Sequence, residues 1–223
     1  VSFVLSSLVS AFALQAGGAE GFAIENREGK CVTVTFNGKN AARYMYEHDT
    51  STKEKRHETY KPYLHIFDAA GEKTITKGAG GRYTHHRGIF IGWSRTRFKG
   101  KSYDRWHMKG GEIVHQSFEK LAADADSATI ISVTAWNDNE GNPILKERRT
   151  MEFSCGPEAV RLQVDFTSRL TASYGTVTLN GDPEHAGVQY RPGNEIVTSE
   201  TKYFFPEEDA NPRKDVDYPW VGE

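Results

Sequence analysis

Apolar side chains recur at every second position in short stretches of this chain, and clusters of Gly, Asn, Asp and Pro separate one stretch from the next. That period belongs to strands with one buried face rather than to helices. The run CVTVTFNGKN (31–40) alternates into an Asn-Gly pair, a strong hairpin signal, and ARYMYE (42–47) reads as the returning strand. Residues 48–59, HDTSTKEKRHET, are polar and charged, and a solvated loop carrying His48 and His57 is expected there. Residues 60–76 predict a strand opened by Pro62, a turn at Ala69–Gly71 and another short strand. A Gly-rich loop (77–88) leads into a strand over 89–98, and a loop with aromatic and histidine content leads into a strand from about Glu112. Strands over 127–138 and 143–154 are joined by a Glu-Gly-Asn turn. The alternation is longest in 159–173, where Val160, Leu162, Val164 and Phe166 share one face and Arg161, Gln163 and Asp165 the other. Residues 179–197 predict a polar turn and then a strand, and the Pro- and Asp-rich end reaches Pro219, Trp220 and Val221 as a new strand begins. These meanders predict an all-β, antiparallel β-sandwich whose C-terminal part is missing from the sequence.

The opening 19 residues depart from this pattern. VSFVLSSLVSAFALQAGGA is an apolar run ending in small residues, too short and too rich in Ser and Ala to anchor well in a bilayer. It reads as the core and cleavage region of a secretory signal peptide, cut between about Ala13 and Ala19, although an initiator Met and a basic leading segment are absent. Residues 20–223 are then one exported domain, periplasmic or extracellular, and no later stretch is apolar enough to span a bilayer. Export would permit a disulfide between Cys31 and Cys155, while two buried small hydrophobes are the equal alternative.

Composition narrows the partner. Net charge is −2 with a pI of about 6.5, and Lys and Arg are scattered, so no basic stripe points to nucleic acid. A small molecule or glycan fits better. Oligomeric state has no signal. No internal repeat, dinucleotide-binding glycine fingerprint, phosphate loop or nucleophile elbow is present.

Three stretches concentrate groups able to do chemistry: His85, His86 and Arg87; Asp104, Trp106, His107, Glu112 and His115; and Asp182, Glu184, His185, Gln189 and Arg191. Loops at one end of a sandwich, or one concave face, could gather all three. Imidazoles near neutral pKa, partnered by a carboxylate such as Glu112 or Glu184, suit proton transfer on a sugar, whose apolar ring face packs on residues such as Trp93, Trp106 and Tyr190. Histidines also hold divalent metals, but no His-x-His, HExxH or CxxC spacing occurs, and no cofactor is required by the sequence. For any single histidine a structural role is the plainer reading, with Trp93, Trp106 and Trp136 as core. The adjacent pair in RYTHHRGIFIGW (82–93) cannot face one side of a strand together. His86 and Arg87 are therefore read as facing a pocket, with His85 opposite, steadying the loop.

The segments KPYLHIFDAAGEKTIT, THHRGIFIGW, WHMKGGEIVHQ, HAGVQYRP and DYPWVGE closely resemble the PmoA-like family of exported bacterial proteins, over about residues 30–223. The resemblance implies a secreted β-sandwich, of which the galactose-mutarotase-like supersandwich is one form, a setting in carbohydrate breakdown, and members that continue past residue 223. It also implies, by motif position, that His85, His86, Arg87, His107, Glu112, His115, His185, Gln189 and Arg191 belong to a pocket. The acid–base reading takes His86, Glu112, His115 and His185 as catalytic, and His85, Arg87, Trp106, His107, Gln189 and Arg191 as ligand-binding. The alternatives are a glycan-binding module without catalysis and, from the family's methane-oxygenase label, a metal-dependent oxygenase or hydrolase.

Overall fold

A computed structural model describes residues 20–157, 160–182, 184–197, 199–211 and 218–222. The expected leader, residues 1–19, lies outside the described residues. In chain order the elements are β1 (Phe22–Arg27), β2 (Cys31–Phe36), β3 (Lys39–Met45), α1 (Lys53–Thr59), β4 (Tyr63–Ile66), β5 (Ile89–Trp93), β6 (Arg95–Phe98), β7 (Lys101–Tyr103), β8 (Ile113–Ala123), β9 (Ser127–Asn137), β10 (Pro143–Ser154), β11 (Gln163–Thr171), β12 (Val177–Asn180) and β13 (Ala186–Tyr190). They form a six-stranded sheet in the order β1-β2-β3-β4-β5-β13, a four-stranded sheet β11-β10-β9-β8 and a small sheet β12-β6-β7. Every pairing of these strands is antiparallel. The fold is an all-β antiparallel sandwich, as the alternation predicts.

The two larger sheets meet through one apolar layer. Val32, Val34, Ala42, Tyr44 and Leu64 from the first sheet pack with Ile130, Met151 and Phe153 from the second, all fully buried. Removing this much apolar surface from water is the main term holding the sheets together. Strand β11 contributes Val164 and Phe166 to the same layer and turns Gln163 and Asp165 to solvent; Leu162, just before the strand, joins the layer, whereas Val160 is exposed. The predicted hairpin turn has Asn37 at φ +48° and Gly38 at φ +76°, the left-handed pair that a two-residue connection between β2 and β3 needs.

Two expectations need correction. Residues 53–59 are helical rather than a loop: the Thr52 hydroxyl accepts a bond from the Lys55 amide, Glu54 sits in the first turn, and Arg56 and His57 lie in the last. The strand expected over 89–98 breaks at Ser94, whose amide bonds to the His185 carbonyl, so β5 and β6 enter different sheets. Just before the break, a Cβ on Gly92 would collide with the Arg105 carbonyl, so the missing side chain lets the 104–107 loop lie on β5. Cys31 is buried, Cys155 is exposed and both are free, so neither a disulfide nor a shared core role holds for the pair.

A buried histidine on β4 gives the fold a pH dependence. The Thr76 hydroxyl oxygen accepts the Ile66 amide and lies 2.9 Å from His65 Nδ1, so its own proton can go to that nitrogen. Burial first, and the nearby Arg43 charge second, push the His65 pKa down to about 4. Its folded pKa lies below its unfolded one, so the unfolded chain takes up the proton first as pH falls. Stability attributable to His65 is present above about pH 6.5 and is lost toward pH 4, by about 3 kcal/mol. Denaturant melts of wild type and His65→Asn across this range should show a shallower slope for the variant; parallel curves would remove His65 as the cause.

Candidate functional site

The turns before β5, after β7 and before β13 converge on one polar pocket of about 530 Å³. Tyr83, His85 and His86 come from the first turn, His107 from the second, and Glu184 and His185 from the third; Gln189 on β13 and Arg191 just beyond it complete the lining. Successive imidazoles are neighbours, with ring centroids 4.3 Å apart for His85 and His86, 4.5 Å for His85 and His107, and 4.9 Å for His107 and His185.

Two of these rings are held by the same local device. Asp104 Oδ1 accepts the amides of Trp106 and His107 at 3.1 and 2.8 Å, and its Oδ2 lies 2.9 Å from His107 Nδ1. Asp182 Oδ1 accepts the Glu184 amide at 3.2 Å and lies 2.5 Å from His185 Nδ1, while its carbonyl accepts the His185 amide. Both stretches read Asp-x-x-His, DRWH and DPEH, so each carboxylate closes a turn and aims the imidazole three residues on. A carboxylate on Nδ1 fixes that nitrogen as the protonated one and leaves Nε2 as the exchangeable position. The bond to His185 also holds Asp182 below the usual carboxylate range. This repeated spacing was visible in the sequence as a signal, yet Asp104 and Asp182 were not among the assigned site residues.

The other two rings are neutral near pH 7. Burial, then the charges of His86, His107, Lys61 and His185, push His85 down to about 3. Burial, then Arg191, Lys61, Lys77 and His107, push His86 down to about 4. The histidines share the pocket because residues 83–86 form a turn, closed by the His86 amide on the Tyr83 carbonyl at 2.9 Å with Tyr83 at φ +53°. Strand alternation, the basis for separating them, applies only from Ile89. Met108, next to His107, also has a positive φ of 60°, so a non-glycine left-handed residue stands at two of the three turns, a backbone cost of about 1–2 kcal/mol apiece.

Four assigned residues lie elsewhere. Arg87 faces away, fully buried, its guanidinium donating to the carbonyls of His57 and Glu58 at the end of α1 and lying 4.3 Å from the Tyr60 ring centroid. Trp106 is buried behind the pocket, edge-on to His185 and against Phe90. Glu112 accepts Arg56 Nε at 2.7 Å, and the same guanidinium donates to the Gly111 carbonyl, tying α1 to the start of β8. His115 packs on Tyr46 and Phe118, with Nδ1 2.8 Å from Ser132 Oγ, and burial pushes its pKa to about 4. Of the expected set, His85, His86, His107, His185, Gln189 and Arg191 are brought together; of the two carboxylates weighed as a partner, Glu184 is in the pocket and Glu112 is not.

A family model described as a family of unknown function (DUF6807) matches residues 31–222. The chain belongs to this family. No curated protein and no solved structure matches this DUF6807 chain. The DUF6807 match spans every turn that builds the pocket, from Tyr83 to Arg191. Among the described residues, no group of three or more His, Cys, Asp or Glu side chains is arranged to hold a metal ion, and no helix is long and apolar enough to cross a membrane.

Proposed function

We propose that this protein binds a sugar or glycoside in the four-histidine pocket and acts on it by acid–base chemistry. The observation that carries this reading is the pair of Asp-x-x-His units, whose rings stand 4.9 Å apart on one pocket wall. Two imidazoles of fixed tautomer can divide the work, one taking a proton and the other giving one, as sugar chemistry at a hydroxyl or ring carbon requires. His85 and His86, neutral near pH 7, can donate to and accept from hydroxyls, as can Gln189 and Tyr83, and Arg191 donates. The volume lies within the range usual for small-molecule sites.

Purified protein is expected to bind and turn over a member of a broad panel of mono- and oligosaccharides and glycosides, with turnover lost in His107→Ala. A panel without binding would sink the proposal, and binding without turnover would leave a glycan-binding module. A second reading rests on the same carboxylates, because metal-binding histidines are commonly oriented through Nδ1 in this way. One tightly bound divalent metal per chain, lost in His107→Ala with His185→Ala, would favour a metal-dependent oxygenase or hydrolase.

A further inference from the structure

The loop that carries Tyr83, His85 and His86 is built around a lysine. Its neck is closed where the Lys77 carbonyl accepts the Gly88 amide at 2.7 Å. Both neck residues are tied to the chain just beyond β13: the Lys77 amide donates to the Arg191 carbonyl and the Arg191 amide to the Gly88 carbonyl, each at 2.9 Å. Residues 78–87 therefore form a compact loop with fixed ends. Its interior is filled by the buried Lys77 side chain, whose ammonium donates to the carbonyls of Gly78 at 3.2 Å, His86 at 3.1 Å and Gly80. Gly80 and Gly81, at φ +89° and +66°, supply the left-handed backbone that this curl needs. Burial, then the Arg87 charge, hold the Lys77 pKa below the ordinary lysine value, but three acceptors on one nitrogen use all three protons of the ammonium form.

Little else holds the loop. Arg87 fastens its last residue to α1 from outside. Among the described residues, the only other hydrogen bonds made by 78–86 are those of the His86 amide to the Tyr83 carbonyl and of the Arg82 guanidinium to the Tyr83 hydroxyl, both internal to the loop. Residues 81–84 are exposed, and no described carboxylate bonds to the ring of His85 or His86 as Asp104 and Asp182 do to His107 and His185. We infer that Lys77 is a positioning residue of this pocket: its ammonium holds the 78–86 loop in the shape that sets His85 and His86 beside His107. Asp104 and Asp182 each aim one imidazole, whereas Lys77 aims two through their backbone, and this role is the same for any ligand the pocket takes. Lys77 forms no ion pair among the described residues, so desolvation of its charge offsets much of what its bonds add to folding. Its removal is thus felt in the loop rather than in the sandwich.

Amide hydrogen exchange and histidine NMR on the full chain, wild type against Lys77→Met and Lys77→Gln, test this role. In Lys77→Met, which keeps the apolar stem and loses the donors, the His86 amide is expected to exchange at least about ten-fold faster, the factor of one charge-assisted bond, while the amides of β9 and β10 keep their protection. His85 and His86, at about 3 and about 4 in the wild type, should titrate at least about one unit higher as burial and, for His86, the Lys77 charge are lost. His107 and His185 should keep the Nδ1-protonated tautomer that their carboxylates fix. Lys77→Gln, with two donors on a shorter stem, should lose less than Lys77→Met. Unchanged exchange and titration in Lys77→Met would overturn the role. Faster exchange throughout both large sheets would also overturn it, making Lys77 a general support of the fold. A loss in Lys77→Gln as large as in Lys77→Met would overturn the donors as the cause.

Discussion

Glu147→Gln is expected to cost about 3–5 kcal/mol of folding stability, the usual result of stripping one partner from a buried ion pair. Glu147 and Arg149 sit two apart on β10, so both point into the layer between the sheets, and neither reaches solvent. The carboxylate accepts five bonds: Arg149 Nε at 2.9 Å and Ser168 Oγ at 2.8 Å on Oε1, and Trp136 Nε1 at 2.8 Å, Thr134 Oγ1 at 3.1 Å and Arg149 Nη2 at 3.1 Å on Oε2. Burial works to raise its pKa, but Arg149 and these donors outweigh burial and hold it below the usual carboxylate value. Arg149 in turn reaches the Pro62 carbonyl beside the other sheet, and Tyr44 on β3 bonds across to Ser132 on β9. With Gln at 147 the guanidinium keeps its burial and loses its counter-charge. Urea denaturation measures the loss, and Glu147→Gln combined with Arg149→Met should recover much of it, since no unpaired charge remains. A single variant within about 1 kcal/mol of wild type would show that the pair is not needed to join the sheets.

Glu147 also marks where the sequence stops being legible. PILKERRTMEFS alternates, so β10 and its inward face can be read from it, but a Glu and an Arg on the apolar face are visible only as exceptions to the pattern. Strands paired to sequence neighbours were accessible in the same way. The Asn-Gly hairpin, β9 with β10, and the half-buried β11 depend on local alternation and turn chemistry, which the residues carry themselves. Helix α1 was hidden because its surface is almost wholly polar and charged; only Thr52 as cap and Thr59 as a buried contact distinguish it from a loop.

The site divides along the same line. The histidines in the three turns were found by residue type, and the turns meet because β13 pairs with β5, with Ala186 opposite Trp93. No sequence rule supplies that long-range pairing. Direction is harder still: a strand mouth at Arg87 and its motif position both point it to the pocket, yet β5 begins only at Ile89, and the loop turns the guanidinium to the carbonyls ending α1. Glu112 and His115 were plausible as chemistry by type alone. Their partners, Arg56 and Ser132, lie 56 and 17 residues away, so the salt bridge and the hydrogen bond that absorb them appear only in three dimensions.

Asp104→Asn is expected to lower turnover of a sugar substrate by about 10²–10⁴-fold with little change in KM, because proton transfer is worth that much and the imidazole itself remains. An amide can offer His107 Nδ1 its NH₂ group, which would place the imidazole proton on Nε2 and leave no lone pair there to accept one from substrate. The carboxamide oxygen can still take the Trp106 and His107 amides, so the turn survives and the loss falls on proton transfer rather than on folding. Asp182→Asn makes the same change at His185. If the two units serve as acid and base of one step, the double variant should lose far less than the product of the two single losses, since either defect alone already blocks the step. Multiplicative losses would mean that the two histidines act in separate steps. Unchanged turnover in both single variants, with the fold intact, would remove the Asp-x-x-His units from the chemistry and leave the pocket as a binding site.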